Sequence, residues 1–542
     1  MDWHSDIRIT EETALRMIKK EIEIILYKAL AKLSLDAEGV LVEHSAGEGR
    51  GDYATSAAMM CAKTSGMPPR ELAEKIKNMI ESQGCPLIGK MDIAGPGFIN
   101  FFLARQAIVD EAQRVFGEMH SGYEFKKGEK VNIEFISANP TGSLHIGHGR
   151  GAFYGDILSN VLAYAGADVT REYYINDSRE SNQIKELGKT ALGKGEQYKT
   201  EKLLALLKDV NVSGMDESEA GFTIAGKVQE ANREFIDGKL GIRFDEWYSE
   251  DERLRKSGAN DAMLARVEEF TYEKDGALWL KTTEYGDDED RVLVRSNGTK
   301  GYFISDIAYH QDKFARGYDA VIDIWGADHH GHVKRMHATG KMLGWPQEPA
   351  VQPIIFITQM VSLKEGDEVK KMSKRAGNVI LLEDLVEEFG VDVVRWFFSD
   401  KALGTHMEFD TALAGEQSEK NPVYYVQYAH ARIASVLART RGLKADEAFS
   451  LVDVLMDPMA RALALKVLQF PEIIEEVSRD YQVHKLTTYA YELARAFSHM
   501  YRDVRVVNDD TYNKAAADLM EIAQHTLAET LRLLGISAPE KM

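Results

Sequence analysis

The sequence predicts an α/β protein built on a split, Rossmann-type parallel sheet, with an α+β domain before it and an all-α bundle after it. Three observations predict this. From Val131 the chain runs strand, turn, helix, strand, the order that builds a parallel sheet with ligands at the strand carboxyl ends. That alternation breaks off over a long, polar, acid-rich stretch and then resumes. From about Gln417 onward only helical periodicity remains.

Taken in order, Glu11 through Lys32 carries Leu15, Ile18, Ile22, Leu26 and Leu30 at helical spacing. Strand-like runs follow at Gly39–Glu43 and, after the turn signal Gly95-Pro96-Gly97, at Phe98–Leu103. A polar linker, Lys126–Lys130, separates this module from the next. Val131 to Ser137 reads as a strand, about Gly147 to Ala165 as a helix, and Ala167 to Ile175 as a second strand. The stretch 179–290 reads as a mainly helical insertion. Arg291–Arg295, Ala320–Trp325 and Val351–Phe356 then read as the returning strands of the sheet. In the last segment Leu519, Ile522, Ala523, Leu527, Leu531 and Leu534 keep one apolar face. The expected boundaries are 1–122, 123–415 and 416–542, since 542 residues exceed what one core organises.

Composition narrows the function classes. The formal charge is −20, from 66 basic and 86 acidic residues, which by itself argues mildly against nucleic-acid binding. An average of this kind still permits local basic faces. No run of eighteen apolar residues occurs, so no membrane span is expected. Met1–Asp6 lacks the basic start and apolar block of a signal peptide, and a cytoplasmic protein is expected. The two cysteines, Cys61 and Cys85, exclude a Cys-rich zinc module and read as reduced thiols.

Two segments carry chemistry. In Asn139-Pro140-Thr141-Gly142-Ser143-Leu144-His145-Ile146-Gly147-His148-Gly149-Arg150-Gly151, two histidines straddle a glycine where a turn hands over to a helix. Glycine permits close backbone approach, and a helix start presents unpaired N–H groups and partial positive charge. The imidazoles add two donors suited to phosphates. The plainer reading is a helix cap with incidental histidines. The second segment, Lys370-Lys371-Met372-Ser373-Lys374-Arg375-Ala376-Gly377-Asn378, reads as a mobile anion-binding loop able to stabilise a leaving phosphate. Its plainer reading is a solvated basic run.

Together, in this order and on either side of a split sheet, the two segments resemble the signatures of the class I aminoacyl-tRNA synthetases. That resemblance implies that His145, His148, Lys371 and Lys374 are catalytic and that Gly147, Met372 and Ser373 join them in binding ATP, which arrives with Mg2+. Lys374 would hold the β- and γ-phosphates as pyrophosphate leaves. Arg375 stands where the commonest family form has serine.

The amino acid is read from Glu134-Phe135-Ile136-Ser137-Ala138-Asn139 and from Gly301-Tyr302-Phe303-Ile304-Ser305-Asp306. If a helix starts near Tyr302, then Tyr302 and Asp306 share one face. A guanidinium needs planar carboxylate partners and tolerates stacking on a ring, and one acid from each half of the sheet makes such a clamp. These segments, with Tyr173–Asp177, Trp325–His332 and the ending Leu534–Met542, resemble the arginyl-tRNA synthetases of bacterial type across nearly the whole chain. The resemblance implies that Asp306 and Glu134 face the guanidinium, that Tyr302 packs on it, and that Ser137 and Asn139, with His329 nearby, hold the α-amino and carboxyl end. It also implies that L-arginine, ATP and tRNA(Arg) are the partners of a monomer, and that activation usually requires bound tRNA. Asp328-His329-His330-Gly331-His332 allows a metal-hydrolase reading, but adjacent histidines on a strand would point to opposite faces, so neither a metal site nor a structural zinc is expected.

On the RNA side, the N-terminal module resembles the family's additional domain, which leans on the tRNA elbow. There Asn100 matches a position that reads a base; the plain alternative is a structural asparagine on an edge strand. In the bundle, Tyr425, Tyr428 and Arg432, beside Tyr424, combine aromatics and a cation at helical spacing, the means by which splayed bases are held. Bundle core is the plain alternative, and the better one for at least one of the tyrosines. A nucleotidylyltransferase would share the histidine signature but have no need of the bundle.

Overall fold

The computed structural model describes residues 17–45, 49–345, 353–365, 368–371 and 380–542. The first module packs the Ile18–Lys32, Ala57–Ser65 and Pro69–Gln83 helices against an antiparallel sheet. Its strands lie in the order Val42–His44, Tyr53–Thr55, Phe98–Leu103, Ile88–Ala94. Phe98–Leu103 therefore has a neighbour on both sides, and Asn100 is only 6% exposed. The expected edge strand is an interior one. The module sits on the C-terminal bundle through polar anchors: the Tyr53 hydroxyl donates to Glu472 at 2.8 Å, and Arg461 donates to Asp52.

Five parallel strands form the central sheet, in the order Ile354–Ile357, Ala320–Trp325, Lys130–Glu134, Asp168–Ile175, Glu246–Ser249. The strand that comes first in the chain lies in the middle. The winding reverses between it and Ala320–Trp325, and a crevice at such a switch point is where open parallel sheets bind ligands. The Ile146–Tyr164 helix that follows the first strand lies so close to the sheet that a Cβ on Gly155 would come within 2.3 Å of the Phe135 ring.

Three expectations need correction. The strand expected over Val131–Ser137 leaves the ladder at Glu134, and Ile136 and Ser137 turn into the left-handed region at φ 68° and 39°. Arg291–Val294 does not return to the central sheet; it pairs antiparallel with Ala277–Leu280 in a separate three-stranded sheet. Within 179–290, Glu246–Ser249 is itself an edge strand of the central sheet, so that stretch is not one helical insertion. Its helical part packs Asn182–Ala191 on Glu217–Phe235 over a small core of Ile184, Leu187, Leu203 and Ile224.

The C-terminal segment is a bundle built from long helices, chiefly Pro422–Thr440, Pro458–Leu468, His484–Asp503 and Lys514–Leu534. It is not wholly helical, because Lys444–Asp446 and Thr511–Asn513 pair in parallel. Among the described residues no helix is long and apolar enough to cross a membrane. Cys61 and Cys85 are both unbridged.

Candidate active site

His145 is the N-cap of the Ile146–Tyr164 helix. Its Nδ1 accepts from the Gly147 N–H at 3.1 Å, while Nδ1 of His148 accepts from the His145 N–H at 3.1 Å. The capping reading and the phosphate reading are thus compatible. Each Nδ1 accepts, so each neutral ring carries its proton on Nε2, where it can donate to a phosphate oxygen. The rings stack with centroids 3.8 Å apart at the N-terminus of the Ile146–Tyr164 helix.

The second signature is tied to the first through its far flank. The Ile146 N–H donates to the Ile380 carbonyl at 3.1 Å, and the Leu382 N–H donates to the Leu144 carbonyl at 3.0 Å, forming an antiparallel bridge between His145 and Leu381. On the near flank, Glu368–Lys371 pairs with Val361–Glu365, placing the Lys371 backbone opposite Ser362. Met372, Ser373 and Lys374 lie outside the described residues.

The turn that leaves the first strand is held in a costly conformation. A β-branched residue at positive φ is rare, and such strain, about 1–3 kcal/mol per residue, gathers at ligand sites. Ile136 at φ 68° is such a case. Ser137 Oγ accepts from the Tyr174 N–H at 3.1 Å, and the Ala138 N–H donates to the Tyr173 hydroxyl at 3.1 Å. Ser137 is therefore partly committed to structure, whereas Asn139 two residues on is exposed.

Across the switch point, Tyr302 and Asp306 do lie one turn apart on the Tyr302–Ala315 helix. Tyr302 is 46% exposed and shares a 3.2 Å hydrogen bond with Ser181. Asp306 is half-buried, and burial pushes its carboxyl up to about 7, with Glu250 and Glu134 adding to the rise and His310 and Arg335 opposing it. A carboxyl so placed gains from a cationic ligand. Glu134 is buried and accepts from Lys313 Nζ at 2.7 Å.

Sequence reasoning missed Glu250. It is buried just past the Glu246–Ser249 strand, accepts from Arg255 Nε at 2.9 Å and from the Ser305 hydroxyl at 3.1 Å, and takes up protons more readily because of burial. Its signal was an acid immediately after a strand, hidden inside what reads as an insertion.

His329 lies past the end of Ala320–Trp325 on a short turn, Ala327–His329, so the histidine run is not on a strand and the argument from opposite faces does not apply. Its ring is exposed and 5.1 Å from that of His332. Burial, with Arg335, pulls His332 down to about 4, which leaves it neutral. Among the described residues no three of His, Cys, Asp and Glu are arranged to hold a metal ion.

In the bundle, Arg432 is exposed. It bonds the Tyr428 hydroxyl and lies 4.6 Å from the centre of the Tyr501 ring. Tyr424 and Tyr428 stack nearly parallel, 6.2 Å apart. Tyr425 packs inward against Tyr491 and shares a hydrogen bond with Ser498 at 3.2 Å. A cavity of about 450 Å³ opens beside Tyr501, lined by Val436, Arg439, Arg502 and Arg505 among others. Despite the −20 total, Arg439, Arg502 and Arg505 gather at this cavity beside Tyr501 and near Arg432, with Asp503 among them.

Comparison with known proteins places three family models along the chain. "Arginyl tRNA synthetase N terminal domain" matches 17–103. "tRNA synthetases class I (R), catalytic domain" matches 113–219 and 228–398. "DALR anticodon binding domain" matches 426–542. The chain is 40% identical to arginine–tRNA ligase 1 of Halalkalibacterium halodurans, covering 96% of this chain and 98% of that one. It is also 40% identical to the arginine–tRNA ligase of Bacillus subtilis, over 97% and 98% of the two. The arginyl-tRNA synthetase structure from Thermus thermophilus superimposes with a TM-score of 0.75 over 97% of this chain and 100% of that one, at 21% identity.

Proposed function

The chain belongs to the arginine–tRNA ligases, class I synthetases, and from that premise we propose how its residues divide the reaction. The enzyme activates L-arginine with ATP and transfers the arginyl group to tRNA. The arginine carboxylate attacks the α-phosphorus of Mg-ATP, the bond to the β-phosphate breaks, and pyrophosphate leaves. A ribose hydroxyl at the tRNA 3′ end then attacks the adenylate carbonyl, and AMP departs. No covalent enzyme intermediate is required; positioning and charge stabilisation supply the rate.

His145 and His148 donate from Nε2 to the phosphates, with Gly147 giving the backbone room between them. Lys371, Met372, Ser373 and Lys374 bind the β- and γ-phosphates, and Lys374 takes up the charge of the leaving pyrophosphate. Asp306, Glu134 and Glu250 receive the guanidinium under the Tyr302 ring. Ser137, Asn139 and His329 hold the reacting end. The bridge between His145 and Leu381 carries this assignment, because it joins the helix start to the chain that leaves the lysine loop.

Tyr428 and Arg432, with Tyr425 behind them, hold tRNA at the bundle, and the N-terminal module, with Asn100 in its sheet, meets the tRNA elbow. That module spans 1–122, the catalytic domain 123–415 and the anticodon domain 416–542. The enzyme acts as a cytoplasmic monomer.

Arginine-dependent ATP–pyrophosphate exchange tests the assignment. Exchange is expected with tRNA(Arg) present and is expected to fall sharply in His145→Asn and His148→Asn. Exchange unaffected by both substitutions would overturn the phosphate site.

A further inference from the structure

Three acids stand in one row beneath the guanidinium site. Parallel register sets Asp323 beside Glu134 and Glu134 beside Glu172, on three neighbouring strands that span the switch point. All three are buried, with relative exposures of 0%, 5% and 0%. Carboxylates this close in a dry interior cannot all remain ionised without cations.

One helix supplies the cations. Along the face of Tyr302–Ala315 that meets the sheet, His310 and Lys313 follow Asp306, and Arg316 ends the helix. Arg316 pairs with Glu172, which also accepts from the Tyr309 hydroxyl. His310 Nε2 meets Asp323 at 2.9 Å while its Nδ1 meets the Asp306 carbonyl at 2.8 Å. Both partners are acceptors, so both ring nitrogens carry protons and His310 is an imidazolium. Lys313, 0% exposed, donates to Glu134 at 2.7 Å and to Asp323 at 2.6 Å.

The outer two acids are thus saturated. Asp323 has a cation on each oxygen, and both oxygens of Glu172 are bonded by Arg316. Glu134 differs, since only its Oε2 is bonded to a described residue. We propose that Lys313 is a positioning residue for arginine recognition: bonded to both Glu134 and Asp323, it fixes Oε2 of the middle acid and favours its ionised form, with Oε1 left to the substrate guanidinium, while His310 bonds the other oxygen of Asp323 and so lessens that acid's claim on the ammonium. This rests on the reading of Glu134 as a guanidinium partner.

The groups facing Glu134 are Asp306, Tyr309, His310 and Lys313 from the helix, Asp323 from one neighbouring strand, and Glu172 and Tyr174 from the other. Burial already raises the proton affinity of Glu134, and Lys313 is the first of the forces opposing it. Removing the ammonium raises that affinity further, and a proton held by Glu134 must then leave when arginine binds.

The test is the KM for arginine in ATP–pyrophosphate exchange with tRNA present, from pH 6.5 to 9, for the wild type, Lys313→Met, Glu134→Gln and the double variant. Lys313→Met is expected to raise the arginine KM at least tenfold at pH 7 and to leave the ATP KM within about twofold. It is also expected to add one proton to the slope of log KM against pH. That added slope should vanish in Lys313→Met/Glu134→Gln, whose KM should match that of Glu134→Gln alone. A Lys313→Met slope equal to wild type, or losses that simply multiply in the double variant, would overturn the proposal. Glu134→Gln with a wild-type KM would instead overturn the reading of Glu134 itself. Should Lys313→Met fail to fold, His310→Gln takes its place: with Asp323 drawing on Lys313, a smaller added slope is expected, and an unchanged slope refutes the idea.

Discussion

Replacing Asp306 with asparagine keeps the side-chain shape and removes its charge, so one substitution is expected to stabilise the fold while disabling it. The carboxyl titrates at about 7 in the folded chain, against an ordinary 3.8. Below pH 3.8 it is protonated whether folded or unfolded, and its charge plays no part. Between 3.8 and about 7 the folded chain retains a proton that the unfolded chain has released, so stability falls as pH rises. Above about 7 the whole cost is present. At about 1.36 kcal/mol per pH unit the ceiling is roughly 4 kcal/mol, and partial solvent access lowers the expected value to about 2 kcal/mol. The arginine site should lose more, because removing one member of a buried charge pair costs about 2–5 kcal/mol, a KM increase of about thirtyfold to a few thousandfold. Urea unfolding at pH 5 and pH 8, with exchange kinetics on the same preparations, measures both. Asp306→Asn should gain on the wild type by about 1–2 kcal/mol more at pH 8 than at pH 5. An equal difference at the two pH values, or a less stable variant at pH 8, would refute the electrostatic account.

Other consequences are simpler to test. Lys374→Ala should lower kcat for exchange by about a hundredfold or more and change the arginine KM little, as expected for a group that acts on the transition state; equal effects on both would reject that role. Gly188→Ala should destabilise the helical insertion by about 1–3 kcal/mol, because the added Cβ would lie 1.7 Å from the Glu217 carbonyl oxygen; early loss of structure in 182–235 by hydrogen exchange would show it. Arg432→Ala should raise the KM for tRNA severalfold, flatten its salt dependence by about one charge, and leave tRNA-independent properties such as melting temperature near wild type.

What was legible in the sequence was local. The helix after His145, the helix after Gly301 and the shared face of Tyr302 and Asp306 all follow from spacing within one element. Sheet membership is a matter of long-range pairing, which no local window of sequence contains. Glu246–Ser249 is four residues long, too short for its pattern to announce a strand, yet its pairing with Asp168–Ile175 extends the sheet and places Glu250 in the site. Arg291–Val294 has an apolar pattern that suits either sheet, and only its partner decides. Lys313 and His310 look like ordinary helix polarity in sequence. Their burial depends on Asp323, Glu134 and Glu172 arriving from three strands, a coincidence no single window contains. The strained turn at Ile136 and Ser137 was hidden for the opposite reason, since a β-branched residue there contradicts the local preference that a sequence reading relies on.

The central claim is that carboxylates at the switch point, Asp306 foremost, read the charge of the substrate side chain. The direct measurement is the ratio of kcat/KM for arginine to that for citrulline, its neutral near-isostere, in wild type and in Asp306→Asn. The wild-type ratio should exceed about a thousand, since an unpaired buried acid rejects the neutral analogue, and it should collapse by at least thirtyfold in the variant. A variant that loses activity toward both substrates while keeping the wild-type ratio would contradict the claim and place charge recognition elsewhere.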